Sequence, residues 1–129
     1  MSRAKVLVVH EEPYFPRIMQ FHLEGAGFET IMSDKRDEIL SLIARHRPDF
    51  VVVSVTGEVK WAVNLMAEIF RDPANQSMRV IPVAKFFTEN EVATLLRSGA
   101  CGYMVEPFRP PQLLAMIKKC SSNTPSAGS

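Results

Sequence analysis

Four short apolar runs in this chain lead into residues whose types can do chemistry. Val6–Val9 ends on His10, Glu11 and Glu12, and Phe50–Val53 ends on Ser54. Val80–Ala84 leads to Phe86, Phe87 and Thr88, and Met104–Val105 ends on Glu106. One imidazole with carboxylates is the donor set of a small N/O metal site: His10, Glu11 and Glu106, with Glu12 nearby. His10 and Glu11, however, adjoin on one extended segment, where successive side chains point to opposite faces. The simpler arrangement has His10 or a water satisfying Glu106. A protonated His10 beside that carboxylate would make the cluster respond to pH near neutrality. Ser54 is either a hydroxyl that bonds its neighbours or a substrate for a Ser/Thr kinase.

The elements that must position these residues alternate along the whole chain. Runs as short and continuous as Val6–Val9 and Phe50–Val53 suit strands buried on both faces. Val80–Ala84 reads as a weaker strand broken by Pro82, 102–105 as a short one, and 28–32 as an edge strand. The gaps carry helical spacing. Phe15, Ile18, Met19, His22, Leu23 and Ala26 form one stripe, and Ile39, Leu42 and Ile43 a second. Trp61, Ala62, Leu65, Met66 and Ile69 form a third. Thr88-Glu89-Asn90-Glu91 is a capping box that opens a helix with Val92, Leu95 and Leu96 inward. Pro110-Pro111 opens the last helix, where proline costs least. Five strand and five helix signals in strict alternation predict a single doubly wound α/β domain, (βα)5, with helices on both faces of a parallel sheet. Such sheets bind ligands beyond the carboxyl ends of their strands, where the residues above stand. The domain spans residues 1–120, and 121–129, made of Ser, Asn, Thr, Pro, Ala and Gly, reads as a disordered tail or a truncated linker.

Composition narrows the function. At 129 residues the chain can bury a core without metal or disulfide. A net charge of +1 gives no electrostatic reason for a nucleic acid or a membrane surface as partner. No apolar run approaches a membrane span, and Val6–Val9 is too short for a signal peptide. The two cysteines, Cys101 and Cys120, lie outside any CxxC and read as reduced thiols of a cytoplasmic protein.

The strand ends carry a further pattern: Val9-His10-Glu11-Glu12-Pro13, Pro48-Asp49 before Phe50–Ser54, and Gly99-Ala100 leading to Tyr103 and Glu106-Pro107-Phe108. Over residues 4–119 this resembles the response-regulator receiver domain of bacterial two-component signalling. The resemblance implies a flavodoxin-like sheet in the order 2-1-3-4-5. It also implies five groups for phosphotransfer: two acids that bind Mg²⁺, an acceptor Asp, a Ser or Thr, and a Lys. Carried over position by position, the acid pair becomes His10 and Glu11, and the acceptor becomes Ser54. The Ser/Thr becomes Phe87, and the Lys becomes Glu106.

These exchanges point away from phosphotransfer. Mg²⁺ wants hard oxygen ligands, and only Glu11 remains of the carboxylates that would share it, so Mg²⁺ binding is expected to be lost or weak. A Ser hydroxyl has no ionised form near neutral pH, and no base is placed to activate it. Glu106 sets a negative charge where an incoming phosphoryl group needs a positive one. The resemblance therefore implies a pseudo-receiver, non-enzymatic and cytoplasmic, acting by phosphorylation-independent protein contacts. Its partner would be a histidine kinase, another receiver or a targeted complex. In the family such contacts, and homodimers, use the fourth helix, fifth strand and fifth helix, here residues 88–119. Candidate contacts there are Glu91, Leu95, Arg97, Tyr103, Arg109, Gln112 and Leu113. The family's switch aromatic falls at Tyr103. Phe87 either fills the space that ring would enter or packs in the core beside an exposed Tyr103. The alternatives are residual phosphotransfer with a non-standard acceptor, and a small-ligand or metal sensor at the strand ends built on Glu11, His10 and Glu106.

Overall fold

In the computed structural model, which describes residues 3–12 and 14–122, the sheet is built from five parallel strands. These are β1 (Lys5–Val9), β2 (Glu29–Ser33), β3 (Phe50–Ser54), β4 (Arg79–Ala84) and β5 (Met104–Val105), in the order β2-β1-β3-β4-β5. The expected 2-1-3-4-5 order is the observed one. Side chains alternate across the pleat, so each central strand feeds two cores. Leu7, Val9, Val51 and Val53 pack toward α2 (Ile39–His46), α3 (Val59–Arg71) and α4 (Glu89–Arg97). Val6, Val8, Phe50 and Val52 pack toward α1 (Tyr14–Gly25) and α5 (Pro110–Ser122). The six valines of β1 and β3 are almost fully buried, and each such side chain contributes roughly 1.5–3 kcal/mol.

Several elements depart from the sequence reading. β4 is not broken: it runs through Pro82, which sits opposite Val53. Val80, on the same hydrogen-bonding edge of β4 as Pro82, accepts the Cys101 N–H. The donor that Pro82 lacks therefore faces the side where β5 has not yet begun, which makes proline tolerable in an inner strand. Of the stripe expected on α1, Met19 and Leu23 are buried, whereas Ile18 is 51% exposed and His22 and Ala26 face solvent. Ser121 and Ser122, expected in the tail, belong to α5; the rest of that tail, 123–129, lies outside the described residues. The largest difference concerns the cysteines. Cys101 and Cys120 are joined as a disulfide, with Cα atoms 5.7 Å apart, and are not separate thiols. The spacing of 19 residues hides this, because only the fold brings the segment before β5 against the end of α5.

The capping box forms as the sequence predicts. Thr88 Oγ1 accepts the Glu91 N–H at 3.1 Å, and Glu91 Oε1 accepts the Thr88 N–H at 2.8 Å. α4 stops at Gly99, whose φ of 116° and close approach to Phe70 (2.7 Å from a would-be Cβ) leave room for glycine alone. The Glu106–Pro107 peptide is cis.

Candidate functional site

A cleft of about 380 Å³ opens at the carboxyl ends of the strands, and His10, Glu11, Ser54, Thr56, Ala84 and Glu106 line it. The sheet register explains the convergence. β1, β3 and β4 run in parallel with matched ends, so the residues that close each strand meet at one rim.

On one side of the rim stands His10, only 5% exposed. Its Nδ1 accepts the Glu12 backbone N–H at 3.1 Å, which places the ring proton on Nε2. Nε2 donates that proton to Glu106 Oε1 at 2.5 Å. The imidazole also stacks on Phe15, with centroids 4.1 Å apart, and Phe15 meets Phe108 edge-on. Of the two simpler arrangements for Glu106, the structure has the direct one: the imidazole, stacked on Phe15, holds the carboxylate.

On the other side Glu11 points away from His10, as neighbours on an extended chain must. Its Oε1 accepts from the Thr56 hydroxyl at 3.0 Å and from Arg36 Nη1 at 3.4 Å. Arg36 also donates to Thr56 Oγ1 at 3.0 Å, and its guanidinium lies over the Trp61 ring, 3.4 Å from the centroid. This cluster joins the turn after β2 to the loop after β3. Sequence reasoning missed it: Arg36 is a lone cation in the sequence, and its partners come from three different segments. Of its members the sequence pattern singled out Glu11 as a site residue, and nothing local tied it to the rest.

Ser54 lies between the two sides, 4% exposed, and its Oγ has no hydrogen-bond partner among the described residues. Ala84 closes β4 at the rim, and its methyl offers no hydroxyl. This corrects the placement of Phe87. Because β4 continues through Pro82, its last residue reaches the cleft, Lys85 and Phe86 line the cleft beyond it, and Phe87 lies past them toward α4. Phe87 packs partly buried against the core beneath α4 and meets Tyr103 edge-on at 5.8 Å, with Tyr103 38% exposed. Phe87 is therefore core beside an exposed Tyr103, outside the cleft.

The proposed contact face also divides. Leu95 and Leu113, at 0% and 1% exposed, belong to the two cores and cannot meet a partner. Glu91 is half-buried, and its carboxylate is engaged in the α4 cap. Arg97, Tyr103, Arg109 and Gln112 are exposed, joined by Val105 at 44%. Among the described residues no group of three or more His, Cys, Asp or Glu is placed to hold a metal ion, and no helix is long and apolar enough to cross a membrane.

No family model matches the chain. It is 24% identical over 128 residues, 98% of each chain, to an uncharacterized 14.6 kDa protein from the sodA1 3′ region of Leptolyngbya boryana. It is 27% identical to a "probable transcriptional regulator ycf27" of Porphyridium aerugineum, a match that takes in 99% of this chain but only 56% of that relative. The chain thus spans about half the length of such regulators. Among solved structures, a response regulator from Thermotoga maritima superposes with a TM-score of 0.84 at 25% identity, covering 95% of this chain and 100% of that one. Strand order and superposition show the receiver-type, CheY-like fold, and the sequence is similar over nearly its whole length to a response regulator.

Proposed function

We propose that this domain is a receiver that does not take up phosphate and works as a non-enzymatic protein-binding module in two-component (phosphorelay) signalling in the cytoplasm. One observation carries the reading. The residue at the acceptor position, Ser54, is a buried hydroxyl, and the neighbouring Glu106 is already held by His10. A serine there cannot form an acyl phosphate. A carboxylate there repels the phosphoryl group that a lysine would draw in. Ala84 supplies no hydroxyl to follow a transferred group.

The donor set does not fit Mg²⁺ either. That ion asks for near-octahedral oxygen ligands, including carboxylates. The Glu11 carboxylate is shared between Thr56 and Arg36, so a cationic side chain already stands beside it. Ser54 stands where a second carboxylate would, and Glu106 Oε1 accepts the imidazole N–H.

The partner in this reading is a histidine kinase, another receiver or a complex that the domain targets. It meets the edge formed by Arg97, Tyr103, Val105, Arg109 and Gln112, and a second copy of the chain could use the same edge. The test is the intact mass of the protein after incubation with acetyl phosphate and Mg²⁺, with peptide mapping of any product. The expected result is an unchanged mass. A stoichiometric phosphoryl adduct would overturn the proposal, and its position would name the acceptor.

A further inference from the structure

We propose that Cys101 and Cys120 are a reversible redox pair that ties the segment leading into β5 to the last turn of α5, and so sets how firmly the Tyr103-bearing edge is held. The inference goes beyond the proposed function and stands without it.

The pair is built, because backbone anchors on both sides bring the two residues together. The Cys101 N–H bonds the Val80 carbonyl at 3.0 Å, and Arg79 Nε donates to the Cys120 carbonyl at 2.8 Å. Two consecutive residues at the start of β4 thus hold both cysteines. Gly102 lets the intervening chain lie flat on α5: a Cβ there would meet Met116 Sδ at 2.6 Å. The resulting Cα separation of 5.7 Å lies within the range that a disulfide bridges. These are the only two cysteines in the chain, so no other internal pairing competes.

Access orders the chemistry. Cys101 is half-buried and lines a surface cleft beside Arg97 and Ser98, whereas Cys120 is fully buried. A low-molecular-weight disulfide is therefore attacked first by the Cys101 thiolate, which forms a mixed disulfide and releases one small thiol. The Cys120 thiolate then attacks the Cys101 sulfur, closes the internal bond and releases the second small thiol. Two protein thiols are oxidised, one small disulfide is reduced, and their protons leave with the two small thiols. In a reducing compartment such a bond is transient and reports redox state, in contrast to a permanent staple.

The consequence falls on β5. This strand is two residues long, lies at the sheet edge and pairs only with β4. Tyr103 precedes it by one residue and follows Cys101 by two. The cross-link gives that segment a second anchor, on α5, which the reduced form lacks.

The full chain is equilibrated in buffers of varied thiol-to-disulfide ratio and quenched with an alkylating reagent. Intact mass then counts the labelled thiols, and hydrogen exchange is measured over 101–105 and 117–122. The expected result is one transition from two labelled thiols to none, in a monomer whose non-reducing peptide map joins Cys101 to Cys120. Exchange at 101–105 should slow several-fold in the oxidised form. Two labelled thiols at every ratio, dimers, or a mixed disulfide that never closes would each overturn the pairing. A closed internal bond with unchanged exchange would overturn its control of β5. Cys101→Ser and Cys120→Ser should each abolish the transition. Cys101→Ser changes a half-exposed position, so it gives a folded test even if the buried Cys120 variant does not fold.

Discussion

Glu106 and Tyr103 stand three residues apart on opposite flanks of β5 and face opposite fates. Glu106 turns into the strand-end cleft, where His10 takes up its carboxylate. Tyr103 turns out, touches Phe87 edge-on and leaves much of its ring in solvent. The same contrast holds more widely. At the cleft, Glu11 is held by Arg36 and Thr56, and Ser54 is sealed. Along the β5 edge, Arg97, Val105, Arg109 and Gln112 face water. The cleft carboxylates are engaged by neighbouring side chains and its serine is buried, while the side chains along the β5 edge are exposed.

The contrast breaks most sharply if the cleft is given back its chemistry. His10→Asp, Ser54→Asp and Glu106→Lys together restore an acid, an acceptor carboxylate and a cation, and they replace one cross-cleft pair by another of opposite polarity. Incubated with acetyl phosphate and Mg²⁺, the folded triple variant should gain an acyl phosphate that the parent lacks. Ser54→Asp alone should gain little, because Glu106 still repels the donor. A folded triple variant with unchanged mass would mean that something other than these three positions, such as the Arg36 guanidinium, closes the cleft.

On the contact edge the sharpest test separates core from surface. Leu95→Ala should cost about 3 kcal/mol, as truncation of a fully buried leucine does. Arg97→Ala, two residues on, should stay within about 0.5 kcal/mol. Urea unfolding of both variants measures the difference. Equal small losses would return Leu95 to the surface and undo the division drawn here.

How much of this was legible in the sequence follows from the physics of each feature. β1 and β3 were plain, because a strand buried on both faces must be apolar at every position. The α4 cap was plain, because a capping box is local and its residues are fixed in spacing. α1 was read too broadly: a six-residue stripe wraps further round the helix than the sheet can cover, and Ile18 falls outside. Phe87 takes the Ser/Thr position only when the resemblance is carried over by motif frame, which counts past the end of β4. The strand itself ends at Ala84. The Arg36–Trp61–Glu11 cluster and the cysteine pair had no local signal, since each joins segments that only the tertiary fold brings together.

Within the cleft, His10→Ala should cost about 2 kcal/mol by urea unfolding. It strips Glu106, whose side chain is 16% exposed, of its hydrogen-bond donor and removes the ring that stacks on Phe15. Adding Glu106→Ala should recover part of the loss, because no buried carboxylate is then left unpaired. Further loss in the double variant would show that Glu106 serves the fold through a contact other than His10.

The smallest effect belongs to Ser54, the residue on which the functional reading turns. Its hydroxyl is buried and bonds no described residue, so Ser54→Ala removes a group whose burial is itself unfavourable. The expected change is within about 0.5 kcal/mol, or a slight gain in stability. That near-neutrality is what an acceptor position that has lost its chemistry should show, since neither catalysis nor folding then depends on the oxygen. A loss beyond about 1.5 kcal/mol would mean that the hydroxyl holds a tightly bound water or solute. The cleft would then be a polar binding site, and the small-ligand alternative would take precedence over the protein-binding module.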